Sequence, residues 1–391
     1  MRLTPTDPER RLQEEIRAFL AAEAPDPAGL PPALDERMEA LRAWQARCYE
    51  AGFVGRAWPR DFGGGGGPPA EQIVIDQELA AAGAPEFVNV VGLDVLGPSL
   101  LRFGTEEQRR RHIPAILSAE EIWCQGFSEP EAGSDLAALR TRAVDHGDHF
   151  VVSGQKTWVS WAQFAGWCGV LARTEEDAPR HRGISLLIVD MRAPGLEVRP
   201  MTQITGHAEF CELFLDEVVV PKENLLGGRG DGWKIAMHTL GHERGTAALP
   251  RQVKLRTWLD RAVRVAGERA LDGEALIDDP QAQVALARAL IAIEVLRHHA
   301  YRTVGEFLSG GAVGPDSSSV KLLMADAEQR LAATALEVLG PTLEHADPDE
   351  REENDFWSET YLYSRAASVY GGTQQIQRDI IAGRVLGLPQ E

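Results

Sequence analysis

The spacing of apolar residues changes twice along the chain, and the first part has a helical period. In ERRLQEEIRAFL the apolar residues recur at i, i+4, i+7 and i+8 and form one face: Leu12, Ile16, Phe19 and Leu20. In GTEEQRRRHIPAIL, Thr105 is followed three residues later by Gln108, the capping box that begins a helix. These patterns predict an N-terminal α-helical domain over residues 1–121.

The second part, residues 122–228, consists of short runs rich in Val, Ile, Phe and Trp. Gly, Asp and Pro separate the runs, which include HFVVSGQKTWVSW, GISLLIVDM, LEVRPM and CELFLDEVVVP. Short apolar runs between turn residues are typical of strands at sandwich or barrel spacing. We therefore predict a central β-sandwich or barrel domain.

The helical period returns over residues 229–391. DGWKIAMHTLGHERGTAALP is predicted to be a helix that ends at Pro250, and two longer runs, PQAQVALARALIAIEVLRHHAYRTVGEFL and SSSVKLLMADAEQRLAATALEVLG, have wide apolar faces. Such faces must pack on each other, so a C-terminal four-helix bundle is expected. The acidic run ADPDEREEND is expected to be a solvated loop. The order α, β, α places the chain in the α+β class.

Composition excludes several classes of protein. The 391 residues are 44% hydrophobic and 25% charged, and no apolar run is long enough to span a bilayer. The first residues lack the apolar core of a signal peptide, so a cytoplasmic location is expected. The net charge of −19 argues against nucleic-acid binding, which depends on Lys and Arg, although it allows an anionic ligand in a local basic pocket.

The four cysteines are far apart and form no CxxC pair. This spacing suggests neither a metal site nor a disulfide framework, and we expect four buried, neutral thiols. The run GGGGG at residues 63–67 is not followed by GK[ST], so it does not match a phosphate-binding P-loop. We expect a mobile connection there.

Two segments could carry chemistry. WCQGFSEPEAGSDLA (123–137) combines small residues with hydroxyls, which allows backbone N–H groups to approach an anion or a polar ring. GQKTWVSWAQFAGW (154–167) holds three tryptophans, which either belong to the core or form the wall of a flat aromatic site. By composition alone the first is only a turn-rich loop.

Together with later motifs, these segments resemble the acyl-CoA dehydrogenase family of flavoproteins. FSEPEAGSD, GQKTWVS, VVVPKENLLGG and YGGTQQIQRDIIAGRVLGLP occur in the family's order and spacing. WCQGFSEPEAGSDLAALRT and TLGHERG resemble most the actinobacterial branch that acts on steroid side chains and other branched or bulky acyl-CoA thioesters.

The resemblance implies FAD between the β domain and the C-terminal bundle. Phe127 and Ser128 should line the pyrimidine side of the flavin, Trp158 should cover the ring, and Ser160 should hydrogen-bond near N5. Ser134 should meet the pyrophosphate and is also a candidate substrate contact. The remaining predicted cofactor contacts are Gln125, Thr373 and Gln375. The cofactor would perform the redox step while the protein positions it.

The expected reaction is α,β-dehydrogenation, in which a base removes a proton from Cα and a hydride passes from Cβ to flavin N5. Many family members carry their glutamate base directly after the tyrosine of the last motif, but here that position is Gly371, which follows Tyr370. Gly371 can still offer its backbone N–H to the thioester carbonyl. Isovaleryl-CoA and long-chain enzymes carry the glutamate at the position of Glu243, which is therefore the predicted base. Arg244 is either structural or a cation that shapes the substrate pocket.

Two departures from the family concern assembly. The RxxFG and QxxGGxG segments, through which neighbouring subunits hold the FAD adenosine, are absent from RQVKLRTWLDRAV and LEVLGPTLEH. This pattern resembles actinobacterial members that pair with a related subunit, so a heterotetramer is expected, with a homo-oligomer as the alternative. An electron-transferring flavoprotein is the expected electron acceptor.

Two other functions are compatible with the same fold. One is a flavin monooxygenase or oxidase, and the other is a partner subunit of a heteromeric dehydrogenase that has no activity of its own. The motif YGGTQQIQR and Glu243 favour the dehydrogenase. The sequence alone leaves open whether the thioester is carried by CoA or by a carrier protein.

Overall fold

The computed structural model describes residues 5–175, 177–246, 248–308, 314–315, 317–343 and 351–389, and the chain divides into two compact units. The side chains of residues 28, 242–246, 307 and 341 lie outside this description. The sheet unit comprises Ala21–Gln72 and Pro85–Glu243, and the bundle unit comprises Met1–Leu20, Ile73–Ala84 and Arg244–Glu391.

Helices dominate both ends of the described chain. They are α1 (Asp7–Glu23), α2 (Leu34–Glu50), α3 (Pro69–Ala81), α4 (Gly97–Phe103), α5 (Glu106–Leu117), α6 (Gly232–Thr246), α7 (Ala248–Glu268), α8 (Pro280–Leu308), α9 (Ser317–Leu343), α10 (Arg351–Ser364) and α11 (Gln374–Ile380). Two further turns, Val91–Leu96 and Ile381–Val385, are π-helical. The predicted capping box at the start of α5 is present, with Thr105 accepting from the backbone N–H of Gln108.

The strands lie between the two helical regions. They are β1 (Trp123–Gly126), β2 (Arg142–Asp145), β3 (His149–Ser160), β4 (Trp167–Arg173), β5 (Ile184–Asp190), β6 (Leu196–Met201), β7 (Phe210–Pro221) and β8 (Leu225–Leu226), with a small hairpin formed by β9 (Ala270–Leu271) and β10 (Glu274–Ala275). The first eight form one mixed sheet in the order β6-β7-β3-β2-β4-β5-β8, and β1 pairs in parallel with β4.

Each unit has its own hydrophobic core. In the sheet unit the inward residues of β3, β4, β5 and β7 are wholly buried, among them Phe150, Val170, Leu187 and Leu213. In the bundle unit α7, α8, α9 and α10 contribute Leu255, Ile293, Leu331 and Trp357, which are also wholly buried. Burial of such side chains stabilises a fold by about 1.5–3 kcal/mol each.

The predicted α+β class and the order of helical, β and helical regions are confirmed. The boundaries placed after residues 121 and 228 stay predictions. The predicted end of a helix at Pro250 is wrong, because α6 ends at Thr246 and Pro250 lies in the first turn of α7. Proline fits there because the first helical N–H groups have no partner within the helix. The acidic run is also not entirely a loop, since residues 351–355 begin α10 and residues 346–350 lie outside the described part.

The glycine run at residues 63–67 is closely packed, so the prediction of a mobile connection is wrong. All five backbone N–H groups donate hydrogen bonds to nearby carbonyls, for example Gly64 to Pro59 and Gly66 to Trp58. A Cβ atom on Gly64 would lie 2.3 Å from the carbonyl oxygen of Trp58. Glycine is therefore required because the backbone passes too close to its neighbours for a side chain.

The thiols agree with the prediction, since all four cysteines are buried and unpaired with each other. Burial raises the pKa of Cys48 to about 12, which keeps this thiol neutral. Among the helices described here, none combines the length and the apolar character needed to cross a membrane.

Candidate active site

The loop after β1 carries the first group of predicted site residues. β1 brings Gln125 half-buried to the edge beside β4 and ends at Gly126. Phe127 is buried with 5% of its surface exposed, and Ser128 is half-buried. Ser134 is exposed, further along the same loop. The loop therefore presents one apolar side chain and two hydroxyls within eight residues.

A β-bulge in β3 presents Trp158. β3 has one residue more than β7 between the pairs Lys156–Leu213 and Val159–Cys211. Trp158 has a φ of +58°, in the left-handed region that costs a side-chain-bearing residue roughly 1 kcal/mol or more. Strain of this kind persists only where the surrounding structure imposes it, and it is common at functional sites.

The bulge turns the indole of Trp158 outward. Its side chain is 62% exposed, although it stands on a strand whose other large residues are mostly buried. The ring of Phe210 supports it edge-on, with the centroids 6.0 Å apart. Ser160, two residues later, is half-buried and pairs with Phe210 in the sheet. A flat aromatic face and a hydroxyl thus lie next to each other on β3.

The two sequence motifs of the sheet unit are joined by their backbones. The N–H of Thr157 donates to the carbonyl of Ser128 at 3.0 Å. Next to it, Nζ of Lys156 contacts Oε1 of Glu129 at 2.8 Å. The structure therefore brings Phe127 and Ser128 to the bulge that carries Trp158, as the resemblance implies for a common site.

The third group of predicted residues lies in the bundle unit, just before α11. Gly371 and Gly372 have φ angles of +63° and +95°, and Thr373 caps α11 by accepting from the N–H of Ile376 at 3.3 Å. The buried side chain of Gln377 donates to the carbonyl oxygens of both glycines at 3.2 Å. The glycine turn is thus fixed by a side chain from the helix that follows it.

A buried lysine supports the same turn from another helix. Lys321, on α9, donates to the carbonyl of Ala367, and its Nζ lies 4.3 Å from the ring centroid of Tyr370. Ala367 and Tyr370 lie four residues and one residue before Gly371. Gln375 is exposed, and Thr373 is half-buried.

Glu243 and Arg244 have described backbones but not described side chains. Both positions lie within α6 as assigned, and their side chains fall outside the described residues. A Cβ atom on Gly241, two residues before Glu243, would meet no described atom within 4 Å. The roles of Glu243 and Arg244 therefore stay predictions.

Sequence reasoning missed Glu129, Lys156 and Gln377. The first two were detectable, because Lys156 stands at a buried position of β3 among Phe150 and Val152. A lysine at an apolar position of a strand needs a buried carboxylate, and FSEPEAGSD supplies one. Gln377 was not detectable in this way, because its role depends on the left-handed turn before α11.

Three family profiles match consecutive parts of the chain. "Acyl-CoA dehydrogenase, N-terminal domain" matches residues 6–120, "Acyl-CoA dehydrogenase, middle domain" matches residues 124–218, and "Acyl-CoA dehydrogenase, C-terminal domain" matches residues 230–386. The chain therefore belongs to the acyl-CoA dehydrogenase family. It is an oxidoreductase of the flavoprotein class, and its cofactor is FAD, as predicted.

Curated relatives and solved structures agree with this assignment. The chain is 42% identical over 367 residues to acyl-CoA dehydrogenase IpdE1 of Mycobacterium tuberculosis, covering 93% of this chain and 92% of the relative. It is 38% identical over 386 residues to acyl-CoA dehydrogenase FadE34 of the same organism, covering 97% of this chain and 51% of the relative.

Two solved structures are similar along the whole chain. The ChsE4-ChsE5 complex from Mycobacterium tuberculosis matches with a TM-score of 0.85 and 31% identity, covering 100% of both chains. The Tcur3481-Tcur3483 steroid ACAD matches with a TM-score of 0.86 and 28% identity, also covering 100% of both chains. The predicted resemblance to the actinobacterial steroid branch is confirmed as a similarity.

The residues of the sheet unit fit a flavin chemically. A flat, polar, aromatic ring needs an aromatic face and hydrogen-bond donors and acceptors beside it. The exposed indole of Trp158 offers the face, and the hydroxyls of Ser128 and Ser160 offer the polar contacts. The strained backbone at Trp158 is accounted for if the ring has a ligand to cover.

Proposed function

We propose that this protein removes the α and β hydrogens of an acyl-CoA thioester, with Glu243 as the base that takes the proton from Cα. Bound FAD supplies the acceptor for the hydride that leaves Cβ. A carboxylate suits the proton transfer when it is partly removed from water, because burial raises its pKa. The dehydrogenase activity follows from the family, and the roles of individual residues are the proposal.

The observation that carries the assignment of the base is the backbone at Gly371. Its φ of +63° is one that side-chain-bearing residues rarely adopt, and the next residue, Gly372, has a φ of +95°. The turn after Tyr370 therefore depends on glycine and does not accommodate a glutamate without strain. A base has to come from another element, and Glu243 on α6 is the carboxylate at the family's alternative position.

Gly371 keeps a function that needs no side chain. We propose that its N–H donates to the thioester carbonyl and stabilises the negative charge that develops there. The two carbonyl oxygens of the turn are engaged by Gln377, which fixes the orientation of the backbone. Arg244 and Ser134 are proposed as further substrate contacts.

The proposed cofactor contacts follow the resemblance residue by residue. Phe127, Ser128, Trp158 and Ser160 would hold the flavin ring, and their proximity within the sheet unit supports this assignment. Three further contacts are proposed on the same grounds, Gln125, Thr373 and Gln375. Ser134, exposed on its loop, is proposed to meet the pyrophosphate.

We propose a bulky acyl group, either branched or derived from a steroid side chain. Gly241, two residues before the proposed base, and Gly371, the proposed carbonyl contact, both lack a side chain, and a Cβ atom on Gly241 would meet no described atom within 4 Å. One similar structure is named a steroid ACAD. Both observations favour a substrate with more volume near the thioester than a straight chain.

An electron-transferring flavoprotein is proposed as the electron acceptor, and a heterotetramer with a related subunit is proposed as the assembly. Two of the similar structures are named as pairs, ChsE4-ChsE5 and Tcur3481-Tcur3483. A cytoplasmic location is proposed because the four thiols are unpaired, as in a reducing compartment.

The deciding experiment is the visible spectrum of the purified protein during anaerobic addition of straight, branched and steroid-derived acyl-CoA thioesters. We expect a bulky thioester to bleach the flavin, and Glu243→Gln to slow that bleaching by about a hundredfold to ten-thousandfold. Glu268→Gln is the matched control, because Glu268 is exposed and ion-pairs with Arg264 on α7. Bleaching at the wild-type rate in Glu243→Gln contradicts the assignment of the base, and oxygen consumption during turnover would favour an oxidase.

A further inference from the structure

A lysine is buried where the two sequence motifs of the sheet unit meet. The side chain of Lys156 has no exposed surface. Its Nζ donates to Oε1 of Glu129 at 2.8 Å and to the carbonyl oxygen of Phe127 at 3.2 Å. An ammonium group without solvent is stable only when it is paired and hydrogen-bonded, so these contacts hold the charge in place.

Glu129 extends the connection to a second strand. Its side chain is 8% exposed, and its oxygens accept from the backbone N–H groups of Arg140 at 2.6 Å and Thr141 at 2.9 Å. Its own backbone forms a two-bond bridge with Ala132. The carboxylate thus links the lysine of β3 to the turn of the loop and to the residues that enter β2.

Residues of β3 therefore hold three consecutive residues of the loop in place: Phe127, Ser128 and Glu129. The carbonyl of Phe127 and the carboxylate of Glu129 are held by Lys156, and the carbonyl of Ser128 between them is held by the N–H of Thr157. The next residue on β3 is Trp158, with its left-handed backbone. Ser128 therefore directly precedes the carboxylate of the ion pair, and Trp158 follows the lysine of the pair by two residues on β3.

Both members of the pair are ionised near neutral pH. Burial lowers the pKa of Lys156 to about 8, although the charge of Glu129 opposes this shift. Burial raises the pKa of Glu129, but the charge of Lys156 and the hydrogen bonds that the carboxylate accepts outweigh it and lower the pKa overall. Experiments at pH 7 therefore examine the charged pair.

We infer that Glu129 and Lys156 are positioning residues that fix Ser128 and Trp158 for the flavin and thereby set its affinity and its electronic environment. The inference rests on the proposed function, which assigns Ser128 and Trp158 to the cofactor. A purely structural ion pair would stabilise the sheet unit without any separate effect on the flavin.

The test compares Lys156→Met, Glu129→Gln and the double variant at pH 7. The matched control is Lys222→Met, which removes a lysine that ion-pairs with Asp145 at the other end of the same sheet. Lys222 follows Pro221, which pairs with His149, nine residues before Trp158 and so about 30 Å along β3. Four quantities are measured: thermal unfolding of the flavin-free protein, FAD affinity by fluorescence titration, visible circular dichroism of bound flavin, and its reduction potential.

We expect Lys156→Met to weaken FAD binding at least about tenfold, because Ser128 and Trp158 lose their common support. The visible circular dichroism and the potential should change as well. The double variant, which no longer buries an unpaired charge, should regain thermal stability relative to Lys156→Met but not the affinity or the spectrum. Lys222→Met should affect stability alone.

Two results would show that the ion pair has only a structural role. If affinity and spectrum return together with stability in the double variant, or never change in Lys156→Met, the pair is structural and the inference is wrong. If Lys156→Met does not fold, Glu129→Gln and the double variant decide by the same comparison. A wild-type protein that neither binds FAD nor is reduced by any thioester would overturn the proposed function, and the inference with it, before any variant is compared.

Discussion

Trp158 combines a strained backbone with an exposed ring, which makes it the clearest residue at which stability and function oppose each other. Its φ is +58° and its side chain is 62% exposed. Glycine adopts this conformation freely, and removing an exposed ring forfeits little buried surface. We therefore predict that Trp158→Gly leaves the thermal stability of the flavin-free protein unchanged or raises it by about 1 kcal/mol, while FAD binding weakens.

Trp161 provides the matched control for that prediction. It has nearly the same backbone, with a φ of +56°, but its ring packs against a buried cluster that includes Met38 and Ile122. Trp161→Gly should therefore lower the stability of the flavin-free protein, because the loss of buried apolar surface outweighs the relief of backbone strain. Calorimetry of the flavin-free proteins separates the two cases, and a Trp158→Gly protein as unstable as Trp161→Gly would contradict the prediction.

Glu121 gives the sheet unit a pH-dependent contribution to stability. Burial raises the pKa of this carboxylate, but hydrogen bonds with His112, Arg111 and Trp167 outweigh it and lower the pKa to about 2. A carboxylate whose pKa is lower in the folded protein stabilises it above the unfolded pKa, and that stabilisation is lost as the pH falls through the window from about 4.5 to about 2.

We therefore compare the free energy of unfolding of the wild type with that of Glu121→Gln. At pH 6 the wild type should be more stable by up to about 3 kcal/mol, and the difference should shrink as the pH falls below about 4.5. Urea unfolding at pH 6, 5, 4 and 3.5 measures it. A difference that stays constant over this range would show that the charge of Glu121 is not stabilised by its neighbours.

At the scale of elements, the glycine run at residues 63–67 is a rigid connection rather than a linker. A Cβ atom at Gly64 would overlap the carbonyl of Trp58, whereas one at Gly267 on α7 would meet nothing within 4 Å. We predict that Gly64→Ala lowers the free energy of unfolding by at least about 2 kcal/mol, because the backbone would have to move to make room for the new methyl group. Gly267→Ala should instead gain up to about 1 kcal/mol, since alanine favours helix. Thermal unfolding of the two variants measures whether Gly64→Ala is destabilising and Gly267→Ala stabilising.

The same elements show how far sequence reasoning reaches. Helices and strands with strong periodicity, such as α8 and β7, were predicted nearly to the residue, because a repeating apolar face determines them locally. The glycine run was misjudged because close approach between backbones has no signature in composition. Pro250 was misjudged because the same residue ends one helix and is tolerated in the first turn of another.

The candidate site was predictable in part for a similar reason. Motif order and spacing predicted Ser128 and Trp158 as site residues, and this stays a prediction, but they did not predict the left-handed backbone that exposes the indole or the ion pair between Glu129 and Lys156. Those features arise from the pairing of β3 with β7 and with the loop after β1, which are distant in sequence. A lysine at a strand position where the pattern requires an apolar residue is, however, a local signal. It could have predicted that Lys156 is buried and paired with a carboxylate.

At the scale of the whole molecule, α8 carries an apolar stripe that the described chain leaves exposed. Val284, Ile291 and Val295 are 50%, 62% and 40% exposed, and their spacing of seven and four residues places them on one face. Exposed apolar side chains that share one helix face favour contact with another subunit. The stripe is thus the described feature that most directly supports the proposed assembly.

We predict that Ile291→Lys reduces the assembled mass, measured by light scattering after size-exclusion chromatography, because it places a charge within an apolar contact. Ser358→Lys, an exposed position on α10, adds the same charge outside the stripe and should leave the mass unchanged. Thermal unfolding should show that both variants remain folded, since both positions are exposed. If Ile291→Lys assembles like the wild type, α8 does not contribute to the interface. If the wild type alone forms a stable, fully flavinated homotetramer, the proposed need for a second kind of subunit is wrong, whichever helix forms the contact.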